Sequence, residues 1–200
     1  MEFIDPARTC VIVGTGPSAG TARLECSRGW PCIAVNDAWR LIPWAQYLYA
    51  CDRQWWNKHG ATVRAEFLGE CWTQDAGSAK AYGIRHVTGV NFPGLSESRG
   101  TIHTNAHSGA QAVNLATLWG AKRLLLVGFD LQPVEGRRHY FGDHPPGLLN
   151  NSPYAVFVRR WVAIAADLKR MGVSVINCSP VSALRHFPHQ LIEDALCAAG

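Results

Sequence analysis

The sequence has no CxxC pair, no internal repeat, no low-complexity tract and no apolar window near the roughly 18 to 20 residues that span a bilayer. Each absence removes a class of function. The opening "MEFIDPARTC" carries neither a basic stretch nor a long apolar run, so a secreted or membrane-spanning protein is not expected, and no membrane partner either. The seven cysteines form an odd set, several of them inside strand-like apolar runs where a thiol behaves as a small hydrophobe. They read as reduced and mostly buried, which fits a cytoplasmic location. Charge is also scarce, at 17% of residues, and the net +4 suits an anionic ligand such as a nucleotide without demanding a nucleic acid. At 200 residues the chain is long enough for one core and too short for the two-domain body of most cofactor-dependent dehydrogenases.

What is present is an alternation of short apolar runs and helical patterns, the mark of a mostly parallel sheet with helices on both faces. The strand candidates are "CVIVG" (10–14), "CIAVN" (32–36), "QYLYAC" (46–51), "RLLLVG" (123–128) and "VSVIN" (173–177), with "EFLGECW" and "GIRHVTG" weaker. One helix is expected from Ser108 to Trp119, closed by Gly120. A second starts at Ser152 with Pro153 in its first turn and stops at Gly172; its stripe of Phe157, Trp161, Ile164, Leu168 and Met171 reads as core. Residues 191–199 read as a short terminal helix. The stretch 73–104 has no firm period and reads as a long excursion on the active-site side. The expected architecture is a single α/β, Rossmann-like domain over 1–200.

Polar residues follow several of these strands directly, and in an open parallel sheet ligands gather outside the carboxyl ends of strands. "VIVGTGPSAG" runs a buried strand into Gly14, Thr15, Gly16, Pro17 and Ser18, a turn that can aim backbone N–H groups at a phosphate or serve only as a tight turn. Asn36 and Asp37 end the second strand, with Asp37 at the distance expected of a ribose-binding acid. Asp52 ends the third, where a helix N-cap is the alternative. Asn105, His107, Ser108 and Gly109 precede the long helix. After "RLLLVGFD" come Asp130 and a loop with Arg137, Arg138, His139, Tyr140, Asp143 and His144. A histidine there can deprotonate an attacking hydroxyl while arginine and tyrosine stabilise a departing phosphate. Two further readings of the loop are a solvated turn stiffened by Pro145 and Pro146, and a metal site of His139, Asp143 and His144.

In chain order, "VGTGPSAG", "AVND", "YACD", "HSGAQAVNLATLWGAKRLLLVGFDL", "HYFGDHP" and "VINCSPVSAL" resemble the bacterial sialyltransferases that use CMP-sialic acid. They resemble equally the related family of 6-hydroxymethylpterin pyrophosphokinases and flagellin-modifying accessory proteins, and small phage or prophage proteins with the same histidine loop. The sialyltransferase resemblance implies a nucleotide-sugar donor held by Gly14, Gly16, Ser18, Asn36, Asp52, Ser108 and Gly109. It implies catalysis by a loop histidine, His144 or His139, with Asp130 close by. It implies phosphate binding by Arg137, Arg138 and Tyr140, since Gln132 stands where that family has its first phosphate tyrosine. It implies no metal and no cofactor, and leaves the acceptor open, nucleic acid included. A pyrophosphokinase-like enzyme would instead use Mg²⁺ on Asp130 and Asp143. A non-catalytic nucleotide- or DNA-binding protein would stack bases on Trp55 and Trp56 beside Arg53 and Lys58.

Overall fold

The computed structural model describes residues 8–144, 148 and 152–197. Seven strands form one sheet in the order β5-β4-β3-β2-β1-β8-β9, and every neighbouring pair is parallel. In chain order these are β1 (Thr9–Val13), β2 (Cys32–Val35), β3 (Tyr47–Tyr49), β4 (Glu70–Thr73), β5 (Arg85–His86), β8 (Arg123–Val127) and β9 (Ser174–Asn177). The five expected strands are all present. The two weaker candidates are β4 and, split in two, β5 with β6 (Thr88–Val90); β6 pairs with β7 (Thr101–His103) as a separate two-stranded ribbon.

Parallel strands buried on both faces need apolar residues at every position, and the "CVIV" of β1 and the "LLLV" of β8 supply them. The alternation within them then sorts side chains into two cores. Ile12, Ile33, Leu124 and Leu126 pack against α3 (Ser108–Leu118) and α4 (Tyr154–Arg170), whose Val113, Trp161, Ile164 and Leu168 are buried. Val11, Val13, Leu125 and Val127 face the other way, toward Trp55, Trp56 and Val63 of α1 (Arg53–Glu66) and Ile192 and Leu196 of α5 (Ile192–Cys197). A last helix, α2 (Ala76–Tyr82), covers the β4–β5 edge.

Two expectations change. The 73–104 stretch holds α2, β5, β6 and β7, and none of its residues lines the main cleft. Its strands are two or three residues long and those of β5 and β6 are exposed, so no hydrophobic alternation could announce them. Trp55 and Trp56 are buried, with Trp55 Nε1 donating to Asp37 at 2.8 Å and Trp56 Nε1 to the Ala50 carbonyl at 2.9 Å; base stacking is closed to both. The turn after β1 enters a four-residue 3-10 segment, Pro17–Gly20, in place of the long helix of a dinucleotide fold. Pro145 and Pro146 lie outside the described residues, as do 198 and 199 of the expected terminal helix. No described helix is long and apolar enough to cross a membrane. The seven cysteines form no disulfide; five are buried and Cys26 and Cys197 exposed.

Candidate active site

The chain runs from β1 to β5 on one side of the sheet and from β8 to β9 on the other, so the strand order reverses between β1 and β8. A cleft of about 330 Å³ opens at the carboxyl ends of those strands. Its floor is Gly14–Gly16 after β1, Asn36 after β2, Cys51 and Asp52 after β3, and Gly128–Asp130 after β8. One wall is the start of α3, from His107 to Gly109; the rim is Arg138, His139 and His144 with Ser152 just before α4 and Tyr154 and Phe157 in it. Gly14, Gly16, Asn36, Asp52, Ser108, Gly109, Asp130, Arg138, His139 and His144 thus meet in one place.

The glycine turn contributes shape more than donors. Gly14 N donates to the Val127 carbonyl at 2.7 Å, Gly16 N to that of Gly128 at 2.9 Å, and Ser18 N to Asp130 Oδ2 at 3.0 Å. A side chain at residue 16 would overlap the Asp130 carboxylate and come within 2.5 Å of the Gly128 carbonyl. The glycine is there because the two strand-end turns touch. Those three N–H groups are therefore unavailable to a phosphate, and Ser18, buried behind the turn, does not line the cleft.

Other expected contacts also move. Tyr140 donates its hydroxyl to the Asp37 carbonyl at 2.9 Å and Arg137 pairs with Glu135 at 3.2 Å; neither lines the cleft, which leaves Arg138 of the three phosphate candidates. Asp37 is buried beneath the floor, bonded to Trp55 and 3.7 Å from Arg40, so it is a structural acid and not a ribose ligand. Asp52 occupies the N-cap position of α1 but makes no side-chain cap bond, and it lines the cleft. Asp143 does not line the cleft beside Asp130, and among the described residues no group of three His, Cys, Asp or Glu is placed to hold a metal. Phe157, expected in the core stripe, is half-buried and forms part of the rim with its ring 4.7 Å from that of His107.

One buried carboxyl and two half-buried imidazoles set the electrostatics. Asp130 binds Ser18 N through Oδ2 while its Oδ1 has no hydrogen-bond partner, and burial pushes its carboxyl above the ordinary value. His107 stands at the N-cap position of α3: Ala110 N lies 3.3 Å from its Nδ1, and Trp161 Nε1 donates to its Nε2 at 3.0 Å. A neutral imidazole accepts at one nitrogen only, so the shorter Trp161 contact is the hydrogen bond. Burial holds His107 down at about 3, which makes it a neutral structural ring. His139 is lowered to about 4, first by burial and then by His144, whose ring lies 4.3 Å away; His144 is lowered too, mainly by burial. Asn36, at φ 50°, keeps Oδ1 buried without a partner, another acceptor held at the floor.

Several supporting contacts went unread in the sequence. Ser108 Oγ lies 3.0 Å from Cys51 Sγ and accepts from Cys51 N at 3.3 Å, which ties the end of β3 to the start of α3. Ser179 Oγ accepts from Phe129 N at 2.8 Å and Ser182 donates to the Phe129 carbonyl at 2.6 Å, so "CSPVS" braces the exit of β8. Thr15, inside the quoted turn, faces His139 at 3.1 Å. Only a position in space gives these hydroxyls their work.

No protein-family model matches the sequence, and no curated protein matches it. Solved structures do. A monofunctional alpha-2,3-sialyltransferase, Cst-I of Campylobacter jejuni, superposes with a TM-score of 0.63 over 96% of this chain and 84% of its own, at 12% identity. The sialyltransferase CST-II in complex with a trisaccharide acceptor and CMP gives 0.56 over 92% and 86%, at 13% identity. CstII from C. jejuni bound to the substrate analogue CMP-3FNeuAc gives 0.55 over the same shares, at 11% identity. In fold, this chain is similar to these α/β sialyltransferases.

Proposed function

We propose that the protein is a glycosyltransferase that holds a CMP-type nucleotide-sugar in the cleft between β1 and β8. The observation that carries the reading is the convergence of Gly16, Asn36, Asp52, Ser108 and the two loop histidines on one cleft at the reversal of strand order. The neighbours' complexes with CMP and a CMP-sugar analogue support the choice of donor.

In this reading the unpartnered Oδ1 atoms of Asn36 and Asp130 accept from ligand N–H or O–H groups, because a buried acceptor without a donor costs free energy that the ligand recovers. Asp52 and the Ser108–Gly109 end of α3 complete the nucleoside contacts. Arg138 faces the phosphate. The acceptor hydroxyl attacks the anomeric carbon, its proton passes to a loop histidine, and the carbon–oxygen bond to the phosphate breaks with its electron pair leaving on the nucleotide. Both loop imidazoles are held below their usual range, so they are neutral and able to accept that proton at pH 7. A bound phosphate raises their basicity by its charge.

The test is a thermal-shift panel of CMP, CDP, UDP, GDP, ATP and NAD, each with and without Mg²⁺, since a ligand of the native state alone raises its melting point. CMP is expected to give the largest shift, unaffected by Mg²⁺. A shift confined to ATP with Mg²⁺, or none with CMP, refutes the reading.

A further inference from the structure

His139 is fixed more firmly than an imidazole in a solvated loop. Its Nδ1 lies 3.1 Å from Thr15 Oγ1. A hydroxyl can accept from a ring N–H or donate to a ring lone pair. Nε2 is buried and has no hydrogen-bond partner, and a buried N–H left without an acceptor is rarer than an acceptor left without a donor, so the ring hydrogen sits on Nδ1 and Thr15 Oγ1 accepts it. The Phe141 ring lies parallel to the imidazole, 8° from coplanar and 5.0 Å away. Tyr140 then holds the loop at both ends of the contact, its N–H donating to the Thr15 carbonyl at 3.0 Å and its hydroxyl to Asp37 at 2.9 Å.

We propose that Thr15 is a positioning residue that holds His139, a ring of the cleft rim, as its Nδ1–H tautomer, which leaves the lone pair on Nε2. The glycine turn thereby acquires a second role. The N–H groups of Gly14, Gly16 and Ser18 are bonded to the β8 exit, and the outward-facing threonine between them sets the protonation pattern of the loop. The groups that bear on this ring are His144 at 4.3 Å and Asp143 from its own loop, and Asp37 from the segment after β2. The neighbouring imidazole disfavours a charge on His139, so the tautomer of the neutral ring is what matters. The purpose of the arrangement rests on the glycosyl-transfer reading; its measurement does not.

The experiment is the ¹⁵N spectrum of the histidine rings in the unliganded protein, with His139 identified by the resonances lost in His139→Gln. The expected result is an Nδ1–H pattern in the wild type, a mixed population in Thr15→Val, and recovery in Thr15→Ser. An Nε2–H pattern in the wild type, or a Thr15→Val spectrum identical to wild type, overturns the proposal. With a CMP-sugar donor, Thr15→Val is expected to lower kcat about tenfold at unchanged KM, a fraction of what a general base contributes, and Thr15→Ser to restore it. A raised KM at unchanged kcat overturns the positioning role. If the wild type turns over no CMP-sugar, the transfer reading falls while the ring spectra still decide the role of Thr15.

Discussion

The floor and the rim of the cleft are built on opposite terms. On the floor, the turns after β1 and β8 lie so close that backbone bonds tie Gly14 to Val127 and Gly16 to Gly128, and the Asp130 carboxylate caps Ser18 N. On the rim, the loop from Arg138 to His144 and the first turn of α4 are tied to the floor by one backbone bond, Tyr140 N to the Thr15 carbonyl, and by side-chain bonds such as Tyr140 to Asp37, while Tyr154 reaches the Arg138 carbonyl at 3.4 Å. The floor satisfies most of its polar groups internally; the rim lines the cleft with two imidazole-bearing residues, an arginine and aromatic residues. Damage to the floor should therefore appear as lost stability, and damage to the rim as lost chemistry.

The largest effect is expected from Gly16→Ala. Its added carbon overlaps Asp130 and the Gly128 carbonyl, so the two turns must part, at a cost of about 3 kcal/mol in a urea titration. A variant as stable as wild type would mean that the floor is not rigid. Next comes the rim: His139→Ala combined with His144→Ala should lower turnover of a CMP-sugar about 100-fold while moving the unfolding midpoint little. Unchanged turnover would remove both histidines from the mechanism. Arg138→Met should weaken CMP binding about tenfold by calorimetry, with a shallower salt dependence, because a charge-assisted contact to phosphate is lost.

The smallest effect concerns pH. His107 and His139 are held at about 3 and about 4 in the folded protein, against 6.5 for an unperturbed ring. Between those values and 6.5 the unfolded chain binds protons that the folded one refuses, so stability falls as pH drops below 6.5 and is regained above it. His139→Gln removes one of the two groups and should make that decline shallower. An unaltered decline would show that His139 titrates normally.

The same contrast explains what could be read in advance. The strands of the floor were legible because continuous burial on both faces forces unbroken apolar runs, and the polar residue after each run marks a strand end. Ser18, Tyr140 and Arg137 were misplaced for a common reason: a motif fixes where a residue lies along the chain, while its contacts depend on which way a short 3-10 segment or an irregular loop turns it. Phe157 illustrates the limit on a helix. Its position in the core stripe is right by angle, but α4 begins at the cleft, so the first residue of the stripe meets the cleft before the sheet covers it. The ribbon of β6 and β7 escaped because exposed three-residue strands carry no period.

By itself the sequence determined the α/β class, the main parallel strands, α3 and α4 but not the 14-residue α1, and the strand ends from which a binding cleft is built, because burial and backbone geometry impose those patterns locally. The tertiary structure alone decided which polar groups remain available to a ligand. Thr15 and His139 are 124 residues apart, and Ser18 and Asp130 are 112 apart. Whether one hydrogen bond is satisfied inside the protein or left for a substrate depends on such distant partners, and no local pattern in the chain encodes them.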